Sequence, residues 1–500
     1  MRTSLALLST AVTLAAACGS EKDFERLRIE RRAAASSAAS SAASRVATSA
    51  VARNSAATIA SGATNPSAAA GTAGGAVAST TAAAAAATRT DEASAAGIKD
   101  PAQECTAYYY PPVGQLIADG VFPAIWEIAN LSTAKAEVTA LFQSLNSSIP
   151  NIAPKGTPQG DFSSVNYDGA TDPDCWWTWG KCTSPKAAGV KPDVYNVPTP
   201  NTWGLTYDDG PNCSHNAFYD YLQEQNQKAT MFYVGSNVVD WPLEAQRGLA
   251  DGHEICSHTW SHRYMTSLTN EQAFAELYYS KKAIKDVLGI TVQCWRPPYG
   301  DVDDRIRYIA QSLGLQTIGW EDNVFDYEIA TLSRATIEQN YNDILAAAAN
   351  GTYSVNGTIV LSHELNNDTM SLAQEFLPKI KQAFKHVVPV GVAYNNTEPY
   401  VESGYTYPNF AQYIGGTTTM SLAAPTAVST DASLSIPLST GATGSVSASV
   451  AYASNTGGAA AAASDSSGNS AAVRGSGGAL GAVVAAVAGA VGAGAMAVML

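Results

Sequence analysis

From about residue 200 onward, the sequence alternates short apolar segments with longer segments of helical periodicity. The pattern predicts strands over 202–207, 229–234, 253–256, 292–295, 315–319, 358–362 and 387–392, and helices over 216–227, 241–250, 270–288, 303–313, 334–349 and 371–386. The longest helix has Thr269 and Gln272 in capping-box spacing and Gly289 as its stop. Because strands that alternate with helices pair in parallel, we expect an α/β fold, either a barrel or an open sheet.

The segments that flank this region contain too little bulky apolar surface to form a core. Residues 33–98 and 416–478 are dominated by Ala, Ser, Thr and Gly, so burial cannot offset the entropy of ordering them. The tracts are typical of O-glycosylated spacers and equally of unstructured filler. We therefore expect a low-complexity segment over 18–98, an irregular N-terminal extension over 99–199 and the main domain over 200–415.

Both ends of the chain have features of processing signals. Arg2 precedes an apolar run over 5–16 and small residues at 15–17, which is typical of a secretory signal peptide over 1–17. At the other end, a Gly/Ala-rich apolar tail follows small residues around 467–471 and a short polar spacer. This order predicts a GPI-attachment signal over 470–500, with Asn469 as the attachment residue after a spacer over 416–469. A tail-anchored transmembrane helix is the alternative. We expect a secreted protein at the plasma membrane and in the cell wall.

The cysteines, sequons and charge are consistent with secretion. Apart from Cys18, near the expected cleavage site, the cysteines can form up to three disulfides of open connectivity: Cys105, Cys175, Cys182, Cys213, Cys256 and Cys294. Acceptor asparagines of N-glycosylation sequons are Asn130, Asn146, Asn212, Asn350, Asn356, Asn367 and Asn395. The net charge is −14 without a basic cluster, which argues against nucleic acid as a partner.

Polar side chains follow five of the predicted strands, each at the carboxyl end of its strand. They are Asp208 and Asp209, then His258 and His262, then Arg296 and Tyr299, then Asp322 and Asp326, and finally His363. The carboxyl ends of parallel strands share one edge of a sheet, where active sites form. Each residue taken singly has an ordinary explanation, such as a turn, a surface pair or a core histidine. Their shared position at five strand ends favours one site.

These residue types are suited to metal-assisted hydrolysis. His258 and His262 are four residues apart and would face one way on a helical turn, and with one aspartate they would bind one divalent ion, most simply Zn²⁺ or Co²⁺. The other aspartate of the pair would remain as a base. Arg296 would orient that base, the N–H of Tyr299 would face a developing oxyanion, and His363 would be the acid.

The motifs TYDDGP, HTWSH, RPPY and LSH, in this order, resemble those of the polysaccharide deacetylases of carbohydrate esterase family 4, which share the NodB homology domain. The resemblance covers about residues 200–390. Together with the terminal signals, it makes the chain similar to the GPI-anchored chitin deacetylases of fungal cell walls, which are mannoproteins. The fold that this resemblance implies is a distorted, incomplete (β/α) barrel with parallel strands.

The resemblance also implies roles for individual residues. Asp208 would be the base and Arg296 would orient it, while Asp209, His258 and His262 would bind the metal. The backbone of Tyr299 would line the oxyanion hole and His363 would be the general acid. Tyr299, Leu361 and Trp320 would contact substrate, Leu361 in the acetyl pocket. One motif departs from the family pattern of Asp-x-x-Asp before an aromatic residue, because here Asp322 and Asp326 precede Tyr327. Asp322 is the preferred support for Arg296 or His363.

The implied activity is metal-dependent removal of N-acetyl groups from chitin, which yields chitosan and acetate in cell-wall biogenesis. The expected partners are chitin polymer or oligomers, cell-wall glucan or chitosan, and a membrane reached through the anchor; no protein partner is implied. Deacetylation of peptidoglycan or acetylxylan is one alternative. A catalytically inactive wall protein is another, because Trp176, Trp177 and Trp179 lie between Cys175 and Cys182 and would stack on sugars. The preferred interpretation of that tryptophan cluster is a disulfide-closed loop packed on the barrel.

Overall fold

The computed structural model describes residues 89–416. They belong to one unit, Met1–Asn455, while a second unit, Thr456–Leu500, lies outside the described residues. The predicted signal peptide, Cys18, Asn469 and the apolar tail also lie outside them. Among residues 89–416, no helix combines the length and the apolar character needed to cross a membrane.

Nine strands form one curled sheet around the main core. They are β1 (Asn196–Val197), β2 (Thr202–Gly210), β3 (Thr230–Tyr233), β4 (Glu254–Ser257), β5 (Cys294–Trp295), β6 (Gln316–Thr317), β7 (Asp322–Asn323), β8 (Gly357–Leu361) and β9 (His386–Val388). The strand order is β1-β8-β2-β3-β4-β5-β6, with β7 on β8 and β9 on β2. All pairs are parallel except β1 with β8. This half-barrel confirms the incomplete parallel α/β barrel.

Helices cover the outside of the sheet and also build the segment before it. In chain order they are α1 (Glu92–Ala96), α2 (Pro101–Glu104), α3 (Pro111–Ala118), α4 (Ala136–Asn146), α5 (Trp177–Gly180), α6 (Asn216–Glu224), α7 (Gly235–Asp240), α8 (Pro242–Ala250), α9 (Asn270–Leu288), α10 (Asp304–Ser312), α11 (Arg334–Ala349), α12 (Asn367–Ala383), α13 (Val390–Ala393) and α14 (Phe410–Gly415). The capping box of α9 forms as predicted, with the Thr269 hydroxyl accepting from the Gln272 N–H at 3.2 Å. Gly289 ends that helix at a φ of 79°.

The predicted elements differ from the observed ones in several places, among them the short strands β1 and β7, which were not predicted. Helix α7 was not predicted; it follows β3 closely and is mostly buried. Residues 390–392 were predicted as strand but form α13, because a short, fully buried apolar run has the same composition in either structure. Residues before 99 also pack on the domain, since Asp91 caps α1 and the Ala95 carbonyl accepts a bond from Asn216 Nδ2 at 2.9 Å.

Three disulfides form among the described cysteines, which resolves the open connectivity. Cys105 pairs with Cys213, Cys175 with Cys182 and Cys256 with Cys294. The first joins the N-terminal extension to the domain, and the third joins β4 to β5. Among the sequon asparagines, Asn212 and Asn356 are half-buried, whereas the exposed ones are Asn130, Asn146, Asn350, Asn367 and Asn395. The amide nitrogen of Asn212 also donates to the Leu365 carbonyl at 2.6 Å.

Candidate active site

Asp208 and Asp209 lie near the carboxyl end of β2, and a bulge brings both carboxylates to the same cavity. Successive residues of a regular strand face opposite sides of the sheet. Here Asp208 is opposite Phe232 and Gly210 is opposite Tyr233, so Asp209 is the inserted residue, with a φ of 72°. The bulge re-aims its side chain. Both aspartates are buried, and both line the cavity.

His258 and His262 follow β4 and approach each other without a helical turn. The His258 N–H donates to the Tyr233 carbonyl at 2.8 Å, which extends the pairing of β4 with β3. Thr259 and His262 then take φ values of 64° and 55°, so the loop doubles back on itself. The helical turn predicted from their spacing is therefore wrong. The two imidazole rings are nevertheless close, with centroids 4.9 Å apart.

Asp209, His258 and His262 offer one oxygen and two nitrogens that all lie within 4.8 Å of one another. Asp209 Oδ1 is 3.2 Å from His262 Nε2 and 3.7 Å from His258 Nε2. The Nδ1 of His258 is 2.8 Å from the Arg296 carbonyl, so that nitrogen carries the proton and Nε2 presents its lone pair. Burial lowers the pKa of His258 to about 4, which keeps the ring neutral. This donor set suits a divalent first-row ion.

Two other groups of side chains have comparable spacing, but both include cysteines already joined in disulfides. They are Asp172 with Cys175 and Cys182, and Glu254 with Cys256 and Cys294. A disulfide sulfur is not a thiolate and does not bind a metal ion in its place. Within the described residues, the cluster of Asp209, His258 and His262 is therefore the one suited to an ion.

Arg296 holds Asp208 from behind the cavity. Its Nη1 donates to Asp208 Oδ1 at 2.6 Å and to Thr206 Oγ1 at 2.9 Å, and its Nη2 donates to the Gly319 carbonyl at 3.0 Å. The guanidinium is completely buried. A planar group with so many fixed acceptors cannot rotate, so it fixes the carboxylate that it binds.

Asp326 supports His363, and the preference for Asp322 was wrong. Asp326 Oδ1 is 2.7 Å from His363 Nδ1, and its Oδ2 accepts the His363 N–H at 2.8 Å. Asp322 instead accepts from the Tyr353 hydroxyl at 2.8 Å and from Thr358 Oγ1 at 2.6 Å. The difference follows from strand register. Asp322 lies in β7 opposite Val360 of β8, which is three residues before His363, so Asp322 does not reach the carboxyl edge of the sheet where His363 lies.

The environment of His363 favours its charged form. Burial by itself would lower the pKa of His363, but the charge of Asp326, the hydrogen bond to it and the charges of Asp209 and Asp208 together outweigh burial and raise the pKa to about 9. Because Nδ1 is engaged by Asp326, Nε2 is the nitrogen left to exchange a proton with a ligand. His363 itself lines the cavity, whereas Asp326 lies behind it.

Tyr299 has a role in the structure that the sequence analysis did not predict. It lies in the turn Pro298–Gly300 with a φ of 59°, and its hydroxyl is 3.2 Å from His262 Nδ1. Its ring stacks on Tyr264, with centroids 4.0 Å apart and an interplanar angle of 8°. No pattern in the sequence marks Tyr264, which lies in the loop after the HTWSH motif.

One cavity of about 600 Å³ collects most of the predicted site residues. Its predicted members are Asp208, Asp209, His258, His262, Tyr299, Trp320, Leu361 and His363. Arg296, Asp322 and Asp326 are not on its wall. The rest of the lining was not among the predicted active-site residues, although Trp177 had been considered for stacking on sugars: it consists of Trp177, Lys181, Thr183 and Tyr195 from the N-terminal extension and Glu321, Asn323, Phe325, Tyr327, Glu328 and Leu365 from the domain.

The tryptophans between Cys175 and Cys182 have different environments. Trp176 is buried, and its Nε1 donates to Asp301 at 2.9 Å, as expected for a packed loop. Trp177 lines the cavity, with its ring 4.8 Å from that of Trp320. Trp179 is 55% exposed. The loop is therefore both packed on the domain and part of the cavity wall.

Comparison with known proteins gives a consistent result. A family described as polysaccharide deacetylase matches residues 196–318. A chitin deacetylase 2 of Cryptococcus neoformans var. grubii is 55% identical over 339 residues, which are 66% of this chain and 74% of that protein. A chitin deacetylase of Amylomyces rouxii is 50% identical over 316 residues, 62% of this chain and 74% of that protein. The structure of a chitin deacetylase from Colletotrichum lindemuthianum is 26% identical and covers 40% of this chain and 90% of that one, with a TM-score of 0.37.

Proposed function

The chain belongs to the polysaccharide deacetylase family, and on that premise we propose that it hydrolyses the N-acetyl groups of chitin to give chitosan and acetate. The observation that carries the proposal is the meeting of Asp208, His363 and the cluster of Asp209, His258 and His262 in one cavity. Chitin as the substrate is supported by relatives of 50% and 55% identity that are chitin deacetylases.

Asp209, His258 and His262 are the residues that would hold the ion. When bound, a divalent ion such as Zn²⁺ or Co²⁺ supplies a Lewis acid that polarises the acetyl carbonyl and makes water more acidic. Asp208 acts as the general base: Arg296 engages its Oδ1, while its Oδ2 lies 3.7 Å from His258 Nε2, on the side of the cluster. That carboxylate takes a proton from the water that attacks the carbonyl carbon.

The remaining residues stabilise the negative charge that develops on the carbonyl oxygen and protonate the leaving amine. The Tyr299 N–H donates to the carbonyl oxygen as it becomes negative. Leu361 contacts the acetyl methyl group from the cavity wall. His363 transfers the proton on Nε2 to the amide nitrogen as the C–N bond breaks, so that acetate leaves and the amine stays on the sugar. Asp326 keeps His363 charged and correctly oriented for this transfer.

The test is acetate release from a chitin oligomer by the purified secreted protein, with and without a chelator. We expect release that the chelator abolishes and that added Zn²⁺ or Co²⁺ restores. If the protein binds metal but releases no acetate from chitin, the proposal that chitin is the substrate is wrong. Acetylxylan and peptidoglycan are then tested next, and pull-down on insoluble chitin tests the inactive wall protein.

We also propose that the protein is secreted and anchored. The support is in the sequence alone: the apolar run over 5–16 and the apolar tail after Asn469. A phosphatidylinositol-specific phospholipase should release the protein from intact cells, and Asn469→Gln should abolish that attachment. N-glycans are expected first at the exposed sequons, whereas Asn212 is the least favoured because its amide nitrogen is already bonded.

A further inference from the structure

The loop closed by the disulfide between Cys175 and Cys182 lies outside the matched family region of residues 196–318, yet it supplies part of the cavity wall. Lys181 and Trp177 are its contribution to that wall. This wall therefore belongs to the N-terminal extension and lies outside the matched family region.

The domain holds this loop at three points. Arg307 Nη1 donates to the Cys175 carbonyl at 2.6 Å, and its Nη2 donates to the Cys182 carbonyl at 2.8 Å. In the middle of the loop, Thr178 Oγ1 donates to Asp301 at 2.7 Å. Asp301 directly follows the turn that carries Tyr299. The loop is thus fixed relative to the catalytic turn.

The Lys181 ammonium lies at the cavity wall, over the Trp177 ring. Its Nζ is 3.4 Å from the ring centroid, which is a close cation–π contact. The Trp177 ring also packs on Gly300, where a β-carbon would lie 2.3 Å from the ring and φ is +72°. Lys181 itself has a φ of 53°, a strained value for a residue with a side chain. The contact with Trp177, which also lines the cavity, places this ammonium at the cavity wall.

Among the residues that line the cavity, all within 89–416, Lys181 is the one lysine or arginine. An acetylated sugar offers a carbonyl oxygen to an ammonium, whereas a deacetylated sugar carries an ammonium of its own. Like charges a few ångströms apart repel, even with partial screening by water. We propose that Lys181 makes the enzyme select an N-acetylated sugar at the position beside Trp177, next to the sugar that reacts. The inference rests on the proposed chitin deacetylase function.

The test uses the purified secreted protein and two chitin hexamers, one fully acetylated and one with half of its units deacetylated. Lys181→Gln should raise kcat/KM for the half-deacetylated hexamer relative to the acetylated one by roughly fivefold, the size expected when a partly screened like charge is removed. The shift should shrink as ionic strength rises. Lys191→Gln is the matched control, because Lys191 is exposed in the same extension and away from the cavity.

Equal changes for both hexamers, or an equal shift in the Lys191→Gln variant, would overturn the inference. Lys181→Arg keeps the charge and should keep the wild-type ratio, and if Lys181→Gln does not fold, Lys181→Met is measured instead. The affinities of both hexamers are also measured in an Asp208→Asn background. There, Lys181→Gln should shift the binding ratio even if the wild-type protein proves inactive on chitin. Inactivity would refute the proposed function, whereas an unchanged binding ratio would refute the selection by Lys181.

Discussion

Replacing Asp326 with asparagine removes the carboxylate that keeps His363 charged, while leaving a side chain of the same shape. The Asp326 Oδ1 lies 2.7 Å from His363 Nδ1, and its charge is the main reason why the pKa of His363 is raised to about 9. Without that charge, burial is opposed only by the charges of Asp209 and Asp208, so the pKa of His363 should fall towards its ordinary value of about 6.5.

The size of the effect follows from the protonated fraction. A group of pKa about 9 is almost fully protonated at pH 7, whereas one of pKa about 6.5 is protonated to about a quarter. The general acid works in its protonated form, so activity is lost as the pH rises through the pKa of His363. We therefore expect Asp326→Asn to move the alkaline limb of the profile from near pH 9 towards pH 6.5, and to lower kcat/KM at pH 7 by about fourfold if the pKa falls fully to its ordinary value.

The assay is acetate release from a chitin oligomer between pH 5 and pH 10. Asp322→Asn is the matched control, because it makes the same chemical change four residues earlier and weakens the bonds that Tyr353 and Thr358 donate to Asp322 instead. We expect that control to lower thermal stability and to leave the pH profile unchanged. An unshifted alkaline limb in Asp326→Asn, or an equal shift in Asp322→Asn, would refute this account of His363.

Three further predictions concern other parts of the site. Asp208→Asn should lower acetate release by at least about a hundredfold while the metal content measured by mass spectrometry stays the same; loss of the metal would contradict its assignment as the base. Arg296→Met leaves a buried carboxylate unpaired and should lower the free energy of unfolding by about 3–5 kcal/mol in urea titration, and a drop below about 1 kcal/mol would contradict the buried ion pair. Tyr299→Phe removes the hydroxyl next to His262 but keeps the backbone N–H, so metal affinity measured by chelator competition should fall by about tenfold with the oxyanion hole intact. Unchanged affinity would mean that this hydroxyl does not orient the ligand.

The sequence by itself determined the architecture and most members of the site. Alternation of short apolar runs with helical periods predicted parallel strands, and parallel strands place their carboxyl ends at one edge. The polar residues at those ends could therefore be grouped before any contact was known. The capping box at Thr269 could also be predicted from the sequence, because it depends on two residues that are three positions apart in one segment of the chain.

The tertiary structure alone decided how these residues meet. The bulge at Asp209 depends on the register of β2 against β3, and the loop from His258 to His262 reverses through positive φ values instead of a helical turn. The choice of Asp326 over Asp322 follows from where β7 pairs with β8. Strand register and positive φ values depend on packing between segments that are distant in the chain. A local sequence pattern therefore does not predict them. For the same reason, the sequence could place Lys181 and Trp177 beside two cysteines but could not place them at the wall of the active-site cavity.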